Sequence, residues 1–329
     1  MSAVKKAVDD NIQSAIDDIK STYGDGVIGR MDDERNKVEV IPTGILTLDK
    51  ALGSGGIPRG RVSTFYGPYG GGKSTLLMHT VAEEQRLGGL CAIIDMEYGI
   101  DPVYARAIGV NIADCYISQP DTGNDAFGII DKLIKHNACS LIVVDSAAAM
   151  VPRAELEGDF GDAHVGLQAR LFSQALRKLV GPLGRSNTAL VFTNQVREKV
   201  GVIYGSPETQ PAGRALPFYS SVLIEIRRSE APVKEMGMAV SNRVKFKIPK
   251  NRVGKPYQEA EADITYGEGF SRTGSLLDVA VDMELVKKSG SWFTYEGEQL
   301  GQGRAKSKEF LAENESTRAE IEKRVREAL

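Results

Sequence analysis

Apolar positions along the chain follow two periods. In the first twenty residues Val4, Val8, Ile12, Ile16 and Ile19 recur at the spacing of one helix face, with Lys5, Lys6, Asp9, Asp10, Asp17 and Asp18 elsewhere on the wheel. The spacing predicts one amphipathic helix, whose stripe packs on its own core or on another copy of the chain. A connector rich in glycine and charge, residues 24–37, follows it. Four short apolar runs then each end in polar residues: 62–66 before a glycine cluster, 90–94 before Asp95-Met96-Glu97, 141–144 before Asp145-Ser146, and 189–193 before Asn194-Gln195. Helix-like segments lie between them, which predicts a parallel α/β sheet. Such sheets bind ligands at the carboxyl ends of their strands. All four runs place polar side chains at that edge.

Strand-like pieces at 222–226, 243–248 and 260–265 extend the sheet. Beyond about residue 271 the texture changes to a helical pattern (Leu276, Leu277, Val279, Val281, Leu285), a hairpin at 292–297 and two charged helices. The expected organisation is an N-terminal helix and linker over 1–37, a main α/β core over 38–270, and a small α+β C-terminal domain over 271–329.

Composition narrows the class. The chain has 329 residues, 42% of them hydrophobic and 26% charged, and none of its apolar stretches nears the roughly 18 residues of a membrane span. With no signal-peptide core at the start, a cytoplasmic protein without membrane contact is expected. Cys91, Cys115 and Cys139 are odd in number and lack a CxxC spacing, so inert thiols are expected, and His79, His136 and His164 sit in no metal motif. A net charge of −3 excludes a surface that coats nucleic acid throughout, though not a local basic groove.

The glycine cluster carries the chemistry. Gly67-Pro68-Tyr69-Gly70-Gly71-Gly72-Lys73-Ser74-Thr75 matches G-x-x-x-x-G-K-[ST] between an expected strand and an expected helix. Glycines let successive backbone N–H groups converge on phosphate oxygens, and the helix directs its positive end at the same point. Lys73 then reaches the β- and γ-phosphates, and the Ser74 hydroxyl can ligate Mg²⁺. Asp145, closing a buried strand, is the expected carboxylate beside that ion. Hydrolysis also needs a group to orient or deprotonate water. Glu97 is the best-placed carboxylate, with Asp95 as competitor, and the Gln195 amide could sense the γ-phosphate. The residues alone therefore imply a P-loop NTPase core acting as a Mg²⁺-dependent ATPase.

The blocks "YGPYGGGKST", "IIDMEYGIDPVYARAIGV", "SQPDTG", "VVDSAAA", "AELEGDFGDAHVGLQARLFSQALRKL" and "NQVREKVGVIYGSPET", in this order, resemble the bacterial RecA recombinase family over essentially the whole chain. The resemblance implies an ATP- and DNA-dependent recombinase. It would form a helical homopolymer on single-stranded DNA, hold ATP between subunits, exchange strands with homologous duplex, and promote cleavage of a LexA-type repressor in an SOS response. By position, Glu97 matches the catalytic carboxylate and Gln195 the γ-phosphate sensor. Asp101, Tyr104 and Tyr266 match the adenine surroundings, and Lys250 and Arg252 the cations that reach ATP from the neighbouring subunit.

The family's two DNA loops map to residues 157–166 and 195–216. Val165, Arg170, Ser173, Arg177, Arg197, Lys199, Val200, Gly213 and Arg214 lie in or beside them, with Ile203 as a further aliphatic wedge. For Arg170 and Arg177 a solvated helix face would give the same pattern. Arg227, Arg228, Arg243 and Lys245 match the family's site for incoming duplex, where surface ion pairs would look identical. The chain departs from the family at Tyr69-Gly70-Gly71, Ser74, Pro211, Ala212, Arg214, Pro217 and Arg252, and it lacks an acidic tail, as a divergent or phage-borne member would. A hexameric helicase or ring ATPase and an ATP-switched DNA-binding filament protein remain the alternatives, separable by electron microscopy and by turnover.

Overall fold

All four apolar runs form adjacent parallel strands, and their lack of polar alternation has a direct cause: both faces are covered. In the strand Leu141–Asp145, Leu141 and Val143 join one apolar cluster while Ile142 and Val144 join another. The strand Ala189–Gln195 divides the same way, Ala189 and Val191 against Leu190 and Phe192. The structure, a computed structural model, describes residues 3–24, 27–31, 38–159, 166–198, 208–235 and 238–328.

In chain order the elements begin α1 (Ala3–Tyr23), β1 (Val40–Ile41), α2 (Leu46–Leu52), β2 (Ile57–Pro58), β3 (Val62–Gly67), α3 (Lys73–Arg86), β4 (Cys91–Asp95), α4 (Pro102–Ile108) and β5 (Cys115–Ser118). There follow α5 (Gly123–Lys135), β6 (Leu141–Asp145), α6 (Arg153–Leu156), α7 (Leu167–Gly184), β7 (Ala189–Gln195), β8 (Arg197–Glu198), β9 (Glu208–Thr209), α8 (Ala215–Tyr219) and β10 (Val222–Arg228). The rest are β11 (Val233–Glu235), β12 (Met238–Asn251), β13 (Gln258–Thr265), β14 (Gly269–Phe270), α9 (Arg272–Asp282), β15 (Lys287–Ser289), β16 (Trp292–Tyr295), β17 (Glu298–Gln302), α10 (Gly303–Glu313) and α11 (Glu315–Ala328).

The main sheet has the order β14-β13-β12-β10-β3-β7-β6-β4-β5, with β11 paired to β12. Its strands from β10 to β5 are parallel, and β12, β13 and β14 extend it antiparallel. Helix α3 supplies Leu76, Leu77 and Val81 to the cluster on one face. On the other, α5 and α7 bring Phe127 and Phe172 edge-on with ring centroids 5.0 Å apart. Contacts divide the chain into two units, Met1–Glu39 and Val40–Leu329. In the first, Ile12 of the α1 stripe is 53% exposed. In the second, Leu277, Val279, Phe293, Leu311, Ile321 and Val325 build a separate small core around α9, α10 and α11.

The strands go beyond the sequence expectation, β5 and the C-terminal hairpin among them. β5 was not foreseen, because this edge strand reads Cys-Tyr-Ile-Ser with Tyr116 and Ile117 exposed and so lacks an apolar run. The hairpin at 292–297 is part of a three-stranded sheet, β15-β16-β17. The cysteines are free, and Cys91 lies opposite Cys115 in the ladder. Burial raises the Cys91 thiol and pushes Cys115 up to about 11, which keeps both protonated and unreactive.

His79 of α3 pins β14: its Nε2 accepts the Phe270 N–H at 2.8 Å. Burial, with Arg86 adding to it, pushes its pKa down to about 4. Below about pH 6.5 the unfolded chain therefore takes up a proton that the folded chain refuses, and stability falls as pH falls. Relative to His79→Gln, whose amide oxygen can accept the same N–H, the parent is expected to lose about 2 kcal/mol between pH 7 and pH 5. Urea unfolding of both proteins at the two pH values checks this, and parallel pH profiles would contradict it.

Candidate nucleotide site and nucleic-acid interface

Register, more than any single residue, assembles the site. Gly67 at the end of β3 lies opposite Gln195 at the end of β7, and Asp95 at the end of β4 lies opposite Asp145 at the end of β6. Four strand ends and the start of α3 thus meet along one edge. Gly67 admits no side chain, since a Cβ there would lie 2.1 Å from the Ile226 carbonyl oxygen. Gly72 caps α3 in the left-handed region at φ 97°. Between them Tyr69 stands 95% exposed.

The Lys73 ammonium donates to the Gly67 carbonyl at 3.2 Å and the Pro68 carbonyl at 2.8 Å, folding its stem back over the loop. Burial lowers its pKa, while Asp145 and then Glu97 pull it back up. Asp145 is buried; its Oδ1 accepts from the Thr193 hydroxyl at 2.5 Å, and Ser74 also hydrogen-bonds to it. Burial raises the Asp145 pKa, opposed by these bonds and reinforced by Glu97 and Asp95. A hydroxyl and a buried carboxylate side by side offer the hard oxygen donors that Mg²⁺ takes alongside phosphate oxygens. Among the described residues no group of three His, Cys, Asp or Glu side chains could hold a metal by itself. The donors therefore fit an ion bound together with a nucleotide.

The two competing carboxylates separate clearly. Asp95 accepts from the N–H groups of Glu97, Gly99 and Ile100 at 3.2, 3.3 and 3.4 Å and from the Gln119 amide at 3.0 Å, so it shapes the turn after β4. Glu97 reaches the opposite way. Its Oε1 accepts from the Ser146 hydroxyl and from Gln195 Nε2, the latter at 3.2 Å.

Lys73, Ser74, Asp145, Glu97 and Gln195 line an open cleft of about 550 Å³ that also takes in Tyr104, Tyr266 and Gly267. The Tyr104 hydroxyl lies 3.1 Å from the Thr75 hydroxyl. Asp101 instead caps α4 by accepting the Val103 N–H at 2.8 Å. Lys250 and Arg252 do not line the cleft. Lys250 donates to the Pro217 and Phe218 carbonyls at 2.7 and 2.8 Å, at the end of α8, and burial followed by Arg252 lowers its pKa. Arg252 is exposed.

Arg170, Ser173 and Arg177 follow one face of α7, opposite the stripe Phe172, Leu176, Leu179 and Leu183 that enters the core. Both arginines are exposed and make no ion pair or hydrogen bond with the described residues. The second loop is anchored at its base: Gln168 accepts the Ala212 N–H at 3.1 Å, Asn194 donates to the Pro211 carbonyl at 3.2 Å, and β8 pairs with β9. Arg197, Gly213 and Arg214 are exposed there. Val165, Lys199, Val200 and Ile203 lie outside the described residues.

The four cations matched to incoming duplex do not form one patch. Arg227 lies opposite Lys245 across β10 and β12, whereas Arg228 lies opposite Val244 on the other face. Strand alternation makes that split unavoidable. The first-face cations are also paired: Arg227 with Glu208 and Glu225, Arg243 with Glu261 and Asp263, and Lys245 with Glu259. Arg243 joins Asp263, Asp278, Arg304 and Lys308 in a network between the sheet and helices α9 and α10. Arg228 faces the nucleotide cleft. The alternation was legible in the sequence; which face turns to the cleft was not.

A family model described as the RecA N-terminal domain matches residues 10–271, and one described as the RecA C-terminal domain matches residues 274–329. The chain is 53% identical over 319 residues to Protein RecA of Mycobacterium avium (strain 104), covering 97% of this chain and 91% of that one. It is 54% identical over 314 residues to Protein RecA of Leifsonia xyli subsp. xyli, covering 95% and 88%. Among solved structures it resembles one titled as the RadB recombinase, with TM-score 0.54 and 24% identity over 70% of this chain and 98% of that one, a likeness of fold.

Proposed function

The chain belongs to the RecA family, and on that premise we propose that it forms a helical filament on single-stranded DNA, holds ATP between adjacent subunits, and exchanges strands with homologous duplex. It is a recombinase and a DNA-dependent ATPase, which binds nucleotide and DNA and assembles with itself. Residues 1–37 serve as the docking arm, 38–270 as the ATPase core with its DNA loops, and 271–329 as a small separate domain. No helix among the described residues is long and apolar enough to cross a membrane, and a cytoplasmic setting suits the reading. Help in cleaving a LexA-type repressor during an SOS response belongs to the same proposal.

The observation that carries it is the convergence of Lys73, Asp145, Glu97 and Gln195 at one sheet edge. In this reading the loop N–H groups and the α3 N-terminus bind the phosphate chain, and Lys73 neutralises charge on its outer oxygens. Ser74 and Asp145 would hold Mg²⁺, which when bound supplies charge neutralisation across the β- and γ-phosphates. Tyr104 and Tyr266 flank the base. Glu97 orients and deprotonates the attacking water, while Gln195 exchanges its bond to Glu97 for one to the γ-phosphate and so reports the nucleotide to the second DNA loop. ATP hydrolysis with and without single-stranded DNA, run beside strand exchange with homologous and unrelated duplex, tests the whole. Exchange blind to homology, or hydrolysis indifferent to DNA, would overturn it.

Lys250 and Arg252 are proposed to complete the site of the neighbouring subunit, a reading that follows from the match to the RecA family. Arg252 can grip two oxygens where a lysine offers a point charge. Mixing Lys73→Ala subunits with Lys250→Ala/Arg252→Ala subunits is expected to restore part of the DNA-dependent hydrolysis, at junctions where an intact loop meets an intact cation pair. No recovery at any ratio in demonstrated mixed filaments would exclude shared sites.

For DNA the reading rests on Arg170 and Arg177, exposed on α7 and without an ion pair among the described residues, and on Arg197, Gly213 and Arg214, exposed at the second loop. Affinity is expected to fall steeply with salt, and the logarithmic slope to become shallower by about one unit in Arg170→Ala or Arg177→Ala. Titrations of an oligonucleotide across salt concentrations measure it; an unchanged slope restores the solvated-face explanation.

A further inference from the structure

Arg228 and Asn242 lie in the cleft without a part in the reaction as described. β10 runs parallel beside β3, with Glu225 opposite Tyr66, so Arg228 projects just past the start of the phosphate loop. Its Nε–H donates to the Gly70 carbonyl at 3.0 Å. The guanidinium lies close on the loop, its Nη2 2.2 Å from where a Cβ on Gly70 would stand. The side chain makes no other hydrogen bond or ion pair with the described residues, and it is exposed to the cleft. Asn242, two residues before the Val244 that faces Arg228, lines the same wall opposite Ile264 on β13. It is only 2% exposed, yet among the described residues neither its amide oxygen nor its amide nitrogen has a hydrogen-bond partner.

An unpaired amide buried in this way is costly and calls for a partner. A guanidinium fixed by one N–H with its remaining donors open is suited to phosphate oxygens. We propose that Arg228 and Asn242 are nucleotide-contacting residues of this same chain's site. Arg228 meets the phosphate chain beside the loop, and the Asn242 amide hydrogen-bonds a polar atom of the nucleotide on the Tyr266 side. The proposal rests on the ATP-site reading and removes Arg228 from the face that carries Arg227, Arg243 and Lys245.

The test is calorimetric binding of ATP and ADP to the full chain, without DNA, across salt concentrations. Arg228→Ala is expected to weaken at least one nucleotide about tenfold, as for loss of a charge-assisted phosphate contact, and to flatten the salt dependence. Arg228→Lys recovers part of the affinity, and Arg227→Ala, on the opposite face, leaves it unchanged. Asn242→Val is expected to melt at the same or a higher temperature without nucleotide while binding it several-fold more weakly, a combination a purely structural residue does not produce. Affinities of Arg228→Ala within twofold of the parent for both nucleotides, with an unaltered salt slope, would overturn the Arg228 contact. An Asn242→Val protein that melts lower and binds normally would overturn the Asn242 contact. Failure of the parent itself to bind either nucleotide would overturn the site, and this proposal with it.

Discussion

Lys73→Ala is expected to abolish ATP hydrolysis, with turnover at least about a thousandfold below the parent, the scale set by losing a preorganised charge at the transferring phosphoryl group. Among the described residues Lys73 is the lysine that lines the cleft. Arg228 lies beside it, held through its Nε–H at the Gly70 carbonyl, and Lys250 donates to the Pro217 and Phe218 carbonyls. The ammonium also draws together the Gly67 and Pro68 carbonyls, so its removal loosens the loop as well as discharging it. The fold should survive, because the core strands and the apolar face of α3 do not use this side chain. The check is steady-state hydrolysis with saturating single-stranded DNA, alongside a melting curve. Normal turnover in a folded Lys73→Ala protein would remove the phosphate loop from the mechanism.

Glu97→Gln should separate binding from chemistry. The amide keeps the length of the side chain and an oxygen able to accept from Ser146 and Gln195, so the surrounding geometry is retained. Only the charge and basicity are lost. Nucleotide and DNA affinity are expected to stay within a few-fold of the parent while hydrolysis slows by about two or more orders of magnitude. Asp95→Asn provides the contrast. Its carboxylate takes three backbone N–H groups and the Gln119 amide, so that variant should lose stability and local order first, with activity following. Single-turnover hydrolysis and nucleotide binding on all three proteins distinguish the roles. A Glu97→Gln protein with parental turnover would pass the base role to Asp95 or to a water chain.

Much of this was legible along the chain because it depends on neighbours in sequence. The unbroken apolar runs at 141–144 and 189–193 announce strands covered on both faces, and the spacing of glycines, Lys73 and Ser74 announces a phosphate loop before any coordinate is known. The polar residues ending each run pointed to the edge where chemistry would sit. Spacing could not choose between Asp95 and Glu97, two residues apart on one turn. In the fold, hydrogen bonds tie Asp95 inward and leave Glu97 facing Ser146 and Gln195.

Other features were decided only by tertiary structure. Strand order and register bring Gly67 beside Gln195 and Asp95 beside Asp145, and they follow from packing between segments far apart in the chain. The basic cluster at 227–228 and 243–245 looked like one patch on the line of the sequence. Successive strand residues face opposite sides, and pairing of β10 with β12 left Arg227, Arg243 and Lys245 among carboxylates while turning Arg228 toward the phosphate loop. Asn242 reads as an ordinary strand polar residue until the cleft wall closes around it and leaves its amide unpaired. The periodicity and the chemical types were local properties of the chain. Which face met the ligand, and which charge met a partner, depended on contacts that exist only once distant strands are aligned.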